Sequence, residues 1–298
     1  MQKTNVYQMV TDKIVEQLEN GIVPWQCPWT GGDLNGGAIN YVSRKPYSLL
    51  NQMLLGREGE WLTFKQVKDL GGSVKKGAKA GMVVFFTMVS SSSKKVTDEN
   101  GEETEVISVK EYQRPILKYY HVFHINDCEG INSKISKVKG DDTLKPIERA
   151  EEVINNYVSR EKTLKFQNDK PSSQAYYSPS KDEVVVPMLS QYDVVEEYYS
   201  TTFHELTHST MTKERCNRKE NDKKAAFGGE DYSREELVAE LGSAMLCNAT
   251  GIESEKAFKN SVAYIKGWLK SLKDDVNMIV WASSRAEKAA KYILNVNV

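Results

Sequence analysis

The stretch His204-Glu205-Leu206-Thr207-His208 limits what this chain can be more than any other. It is a His-Glu-x-x-His pattern at the end of an amphipathic run that begins near Val194. One helical turn separates the two histidines, so both imidazoles leave the same face and can hold one ion. Glu205 stands beside the first ligand, where a carboxylate can take a proton from metal-bound water. Zinc-dependent hydrolases use that spacing. Leu206 and Thr207 are uncharged, as a buried active-site helix requires. The chain has 4 histidines in all, and two of them fall in this motif, which favours a metal site over a helix with two ordinary histidines.

Such a site takes a third protein ligand. No histidine follows His208, which leaves Cys216, Cys247 or a carboxylate. The run from Tyr232 to Ala244 predicts a helix with Leu237, Leu241 and Ala244 inward and with Glu236 and Glu240 one turn apart on one face. Two buried carboxylates need a cationic partner. Glu236 is therefore assigned as third ligand. Glu240 is assigned behind it, accepting from a histidine ring N–H. Glu235, and an exchange of Glu236 with Glu240, remain open. Tyr232 is the candidate donor to an oxyanion. The chemistry these residues spell is amide hydrolysis at one Zn2+ ion, other divalent metals also fitting, with Glu205 as base.

A chain of 298 residues has room for two domains. Its net charge of -1 creates no global attraction to nucleic acid or membrane, so any basic surface is local. No apolar run reaches membrane-spanning length, and the N-terminus has no signal-peptide core. Cys27, Cys128, Cys216 and Cys247 are scattered, which reads as reduced thiols in a cytoplasmic protein.

Along the chain, Val6 to Leu18 has helical spacing, closed by Gly21. Trp25 and Trp29 flank a Pro/Gly-rich turn and suit either base stacking or a small core. Between Tyr41 and Lys79, basic residues (Arg44, Lys45, Lys65, Lys75 and Lys76 among them) outnumber acidic ones. Tyr47, Trp61 and Phe64 interleave with them. Such a pattern pairs with phosphates and stacks on unpaired bases, or forms a solvated basic face. Glu60 to Thr63 reads as a strand and Phe64 to Leu70 as a short helix. Met82 to Val89 and Ile116 to Ile125 read as strands flanking an acidic hairpin tip near 90–111. His121 and His124 on the return strand read as cross-strand packing. Tyr176 to Pro187 reads as a hairpin beside the metal-binding helix, where an edge strand can hold an extended peptide.

Taken together, Gly21-Ile22-Val23-Pro24-Trp25 with Pro28-Trp29, Lys45-Pro46-Tyr47 with Asn51, Trp61 to Gln66, Leu70 to Gly77, Tyr119 to Ile125 with Glu129-Gly130, His204 to His208, Phe227 to Glu230 and Arg234 to Glu240 resemble the ArdC-type antirestriction proteins. The resemblance implies an α+β protein of two domains. A small mixed α+β domain binding single-stranded DNA would span 1–132, and a linker 133–145. A mostly helical zincin-like metallopeptidase domain with a small sheet would span 146–298. The candidate DNA contacts in the first domain are Trp25, Trp29, Arg44, Lys45, Tyr47, Asn51, Trp61, Lys65, Lys75 and Lys76. The resemblance also implies membership of a mobile element and protection of incoming DNA from host restriction, while a protein substrate for the peptidase site is left open as a further partner. Two other readings stay in view: a DNA-coating protein whose metal site is structural or vestigial, and a zinc peptidase that cleaves a regulatory protein.

Overall fold

The structure is a computed structural model that describes residues 5–26, 37–90, 95–97, 103–105, 113–135, 146–218, 230–252 and 262–296. It is α+β in two parts, a mixed sheet-and-helix N-terminal half and a mostly helical C-terminal half with a small sheet. The first helix, α1 (Val6–Glu19), starts where the Asn5 side chain accepts from the N–H groups of Tyr7 and Gln8. Past its end Gly21 adopts φ 76°, which only glycine takes without strain.

The N-terminal sheet has the order β1-β2-β7-β4, formed by β1 (Ala38–Asn40), β2 (Gly59–Thr63), β4 (Gly81–Ser90) and β7 (Gln113–His124). β4 and β7 pair antiparallel from Gly81↔Val122 to Ser90↔Gln113, as the two apolar runs predict. Helix α2 (Leu49–Leu55) lies against β4. Helix α3 (Phe64–Asp69) opens with a capping box. The Thr63 hydroxyl accepts from Gln66 N–H at 3.2 Å, and the Gln66 side chain accepts from Thr63 N–H at 2.8 Å. β3 (Ser73–Val74) pairs with β8 (Cys128–Glu129). Within the acidic stretch, β5 (Lys95–Thr97) and β6 (Glu103–Glu105) form a hairpin. The Asn100-Gly101 turn, the linker after residue 135, Cys27 and Trp29 lie outside the described residues.

In the C-terminal half, α4 (Pro146–Arg160) precedes a sheet of β9 (Lys165–Gln167), β10 (Tyr176–Ser178) and β11 (Glu183–Val185) in the order β10-β11-β9. β10 is thus an edge strand, and it packs beside α5 (Val195–Ser209), the helix that carries the motif. Arg215, buried just after α5, donates to Asp182 at 2.7 Å and Glu161 at 3.0 Å, tying the β10–β11 hairpin to α4. Then come α6 (Glu230–Thr250), α7 (Val262–Asp274) and α8 (Met278–Leu294). The largest core draws on both halves. Ile14 and Leu18 of α1 and Met53 of α2 pack with Leu241 of α6, Leu272 of α7 and Ile279 of α8. Each such buried side chain contributes about 1.5–3 kcal/mol, so the halves are joined by core.

Candidate metal centre

The Nε2 atoms of His204 and His208 lie 3.2 Å apart on one face of α5. Glu236 of α6 faces both, with Oε2 3.4 Å from His204 Nε2 and Oε1 3.4 Å from His208 Nε2. Donors about 2.1 Å from a common ion sit roughly 3.0–3.4 Å from one another, so this trio fits one divalent cation as it stands. Among the described residues it is the one group of ligating side chains whose donor atoms all fall within 4.8 Å. The helices come close because Gly242 faces Thr207. A Cβ added there would lie 2.5 Å from Thr207 Cγ2.

Behind the trio each imidazole has a carboxylate of its own. His204 Nδ1 is 3.6 Å from Glu240 Oε2, and His208 Nδ1 is 3.5 Å from Glu235 Oε1. These are ion-pair contacts, longer than tight hydrogen bonds. Glu240 accepts from the Tyr264 hydroxyl, which in turn accepts from Trp25 Nε1 at 3.3 Å. Glu235 accepts from Arg218 Nη2 at 2.7 Å and Nε at 3.1 Å. Arg218 also donates to Thr210 Oγ1 at 2.6 Å and the Thr207 carbonyl at 2.9 Å, and is 3% exposed. Sequence reasoning left Glu235 open and missed Arg218 and Tyr264. No spacing marks either of them, since both reach the site through contacts distant in the chain.

The electrostatics suit a cation. Burial opposes imidazolium, yet the Glu236 and Glu240 carboxylates outweigh it and raise His204 to about 10. His208 is raised in the same way against burial, by Glu235 and Glu236. Burial would lift the Glu236 carboxyl, but the two histidines hold it far below the usual range. A bound divalent ion takes over the charge that those protons otherwise supply. Glu205 differs. Burial raises its carboxyl, and it is 8% exposed. The Tyr232 side chain lies outside the described residues. Cys216 and Cys247 are buried and stand apart from the trio.

The residues expected to meet DNA divide. Trp25 is 1% exposed and packs edge-on against Trp268 at 6.3 Å, so it is core. Tyr47 and Trp61 are buried with Val83 and Val122. Asn51 is buried as well. Its carboxamide donates to the Val84 carbonyl at 2.9 Å and accepts from Val84 N–H at 2.7 Å, which satisfies the outer edge of β4. These four side chains are buried in the packing of the structure, where no ring among them is open for a base to stack on. Arg44 pairs with buried Glu60, which also accepts from Ser133 Oγ at 2.6 Å. Lys45, Lys65, Lys75 and Lys76 are exposed. His124 packs against Trp61 at 5.1 Å, as the packing reading expects.

Two family descriptions match the halves. Residues 4–123 match the N-terminal domain of anti-restriction factor ArdC, and residues 150–285 match a zincin-like metallopeptidase domain. The chain therefore has the two-part architecture of the ArdC antirestriction proteins. Among solved structures, the antirestriction protein ArdC of plasmid R388 is 28% identical. Its metal-free form superposes with a TM-score of 0.69 over 99% of this chain and 100% of that one. Its Mn(II)-bound form gives 0.70 over 98% of each chain. A DNA primase TraC of Escherichia coli is 30% identical over 98% of this chain, which spans only 20% of that protein. A second TraC primase is 29% identical, with 27% of its length spanned. An uncharacterised protein of Sinorhizobium fredii (strain NBRC 101917 / NGR234), y4eC, is 28% identical over 97% of this chain and 92% of its own.

The expectation of zinc is overturned by these relatives, since the solved ArdC carries Mn(II). Two imidazoles and a carboxylate are a donor set open to more than one divalent ion. Among the described residues no helix is long and apolar enough to cross a membrane.

Proposed function

We propose that this chain is an ArdC-type antirestriction protein that binds single-stranded DNA and shields it from restriction. In this reading the His204–His208–Glu236 centre holds a divalent cation such as Mn(II) and serves the structure rather than hydrolysis. The observation that carries it is the likeness to ArdC across 99% of the chain. The burial of Glu205 and the Mn(II)-bound form of the solved ArdC support the non-hydrolytic part.

A peptidase reading rests on a different observation. Glu236 remains 29% exposed at its side chain, so the centre faces solvent on one side, with Glu205 adjacent in the motif. A bound cation would there act as a Lewis acid, and Glu205 would hold the proton at its carboxylate.

Glu205→Gln separates the two readings. Protection of transferred DNA in a restricting host, single-strand binding and bound metal are all expected within about twofold of the unaltered protein. That bound is set well inside the roughly 10²-fold or greater loss that follows removal of a catalytic base. Loss of protection with metal retained would hand the function to the peptidase reading.

A further inference from the structure

The N-terminal sheet leaves rings open to solvent on both faces, Phe85 and Tyr120 on one and a longer row on the other. β7 is an interior strand, and its odd-numbered residues share a face. Leu117 on that face is covered by the shared core. Tyr119 is 38% exposed, His121 is also exposed, and Phe123 is half-buried. The Tyr119 and His121 rings lie 5.6 Å apart. Phe64, the first residue of α3, continues the row with its ring 6.5 Å from Phe123, and is 54% exposed. Lys68 Nζ sits 5.8 Å over the Phe64 ring, and exposed Lys65 follows Phe64. Isolated exposed apolar residues need no explanation, but a contiguous row rimmed by cations does.

We propose that this row is the track of the single strand, with bases stacking on Tyr119 and Phe64 and phosphates meeting Lys65 and Lys68. The proposal rests on the single-stranded DNA reading above and replaces the buried Trp25, Trp61 and Tyr47 as its aromatic contacts. Three arguments support it. The Tyr119 and His121 rings stand 5.6 Å apart, wider than the ~3.4 Å advance per base in a duplex strand, which suits an unstacked, extended strand rather than a paired one. Rings presented on the face of an interior strand are also how small sheet domains bind unpaired bases, whose faces stack regardless of sequence. Finally, a net charge of -1 supplies no general attraction, so affinity must come from local rings and cations. Lysines at the rim and a histidine in the middle of the row disfavour a dry protein interface.

The test is fluorescence anisotropy of a labelled oligothymidine with the full chain at two salt concentrations. Tyr119→Ala and Phe64→Ala are each expected to weaken binding about tenfold, the effect of losing one stacked base. Tyr119→Phe keeps the ring and should bind as the unaltered chain does. Lys68→Gln should reduce the salt slope by about one. Unchanged thermal unfolding of these surface variants excludes a folding defect. Photo-crosslinking of a 5-iodouracil oligonucleotide should map to Tyr119 or Phe64. If the unaltered chain binds single strands and both alanine variants bind equally well, the track is elsewhere and the proposal falls while the DNA reading stands. The same holds if Phe85→Ala and Tyr120→Ala, on the opposite face where their rings lie 5.9 Å apart, abolish binding instead. If the unaltered chain binds no single strand, or binds duplex equally, the DNA reading fails and takes the proposal with it.

Discussion

Glu235 and Arg218 form a buried pair directly behind His208, and burial sets what its loss does. Glu235→Gln leaves the guanidinium without its counter-charge, a loss of about 3–5 kcal/mol, readable as a lower urea midpoint. Tyr264→Phe acts differently. The ring stays in its packing, but the hydroxyl's bond to Glu240 and the bond it accepts from Trp25 Nε1 both go. Stability should fall by about 1–3 kcal/mol, the cost of a buried N–H left without a partner, while Mn(II) affinity should fall about tenfold through a less well-held His204. An unchanged affinity in a metal titration would show that Glu240 holds His204 unaided. These residues also mark the limit of the sequence. His204, Glu205 and His208 are legible because a helix turns local spacing into geometry. Glu236 and Glu240 are legible for the same reason. Arg218 and Tyr264 are not, because 17 and 24 residues separate them from the glutamates they hold.

At the scale of elements, the centre depends on how closely α5 and α6 approach. Gly242 sits where an added Cβ would press on Thr207, a branched side chain that is itself fully buried. Gly267 in α7 has nothing within 4 Å of the same position. Gly267→Ala should therefore stabilise by roughly 0.5–1 kcal/mol through the unfolded chain and helix propensity. Gly242→Ala should instead destabilise by about 1–3 kcal/mol and weaken Mn(II) binding as Glu236 is pushed from the histidines. Equal effects of the two substitutions in thermal unfolding would remove the close approach as a cause. Element types were readable from period and capping: Thr63 with Gln66, the apolar run of β4, and the spacing of α1. Exposure was not. Tyr47 and Trp61 stand among basic residues in sequence, just as a DNA surface would. Only the packing shows that they are buried while Tyr119 and His121 are exposed. An aromatic residue carries the same letter on either side of a sheet, and a shift of one position reverses its face.

At the scale of the whole molecule, the shared core decides whether the two halves act separately. Ile14, Leu18 and Met53 belong to the half that matches the ArdC N-terminal domain, yet they are buried against Leu272 and Ile279 of the other half. A domain boundary near the linker would then separate the sequence without separating the folding. Trp25 adds a polar link, since its indole reaches Tyr264 and through it the Glu240 behind His204. The expected outcome is one cooperative unfolding transition, with tryptophan fluorescence and far-ultraviolet circular dichroism coinciding. Mn(II) at about one hundred times its Kd should move that whole transition upward, adding about 2.7 kcal/mol to stability. Two separate transitions, with Mn(II) shifting only one of them, would mean that α1 and α2 melt away from α7 and α8 without disturbing the centre. Metal occupancy could then carry no information to the surface where Tyr119 and Phe64 lie. A single transition moved as a unit means instead that the cation stabilises the sheet as well as the helices that bind it.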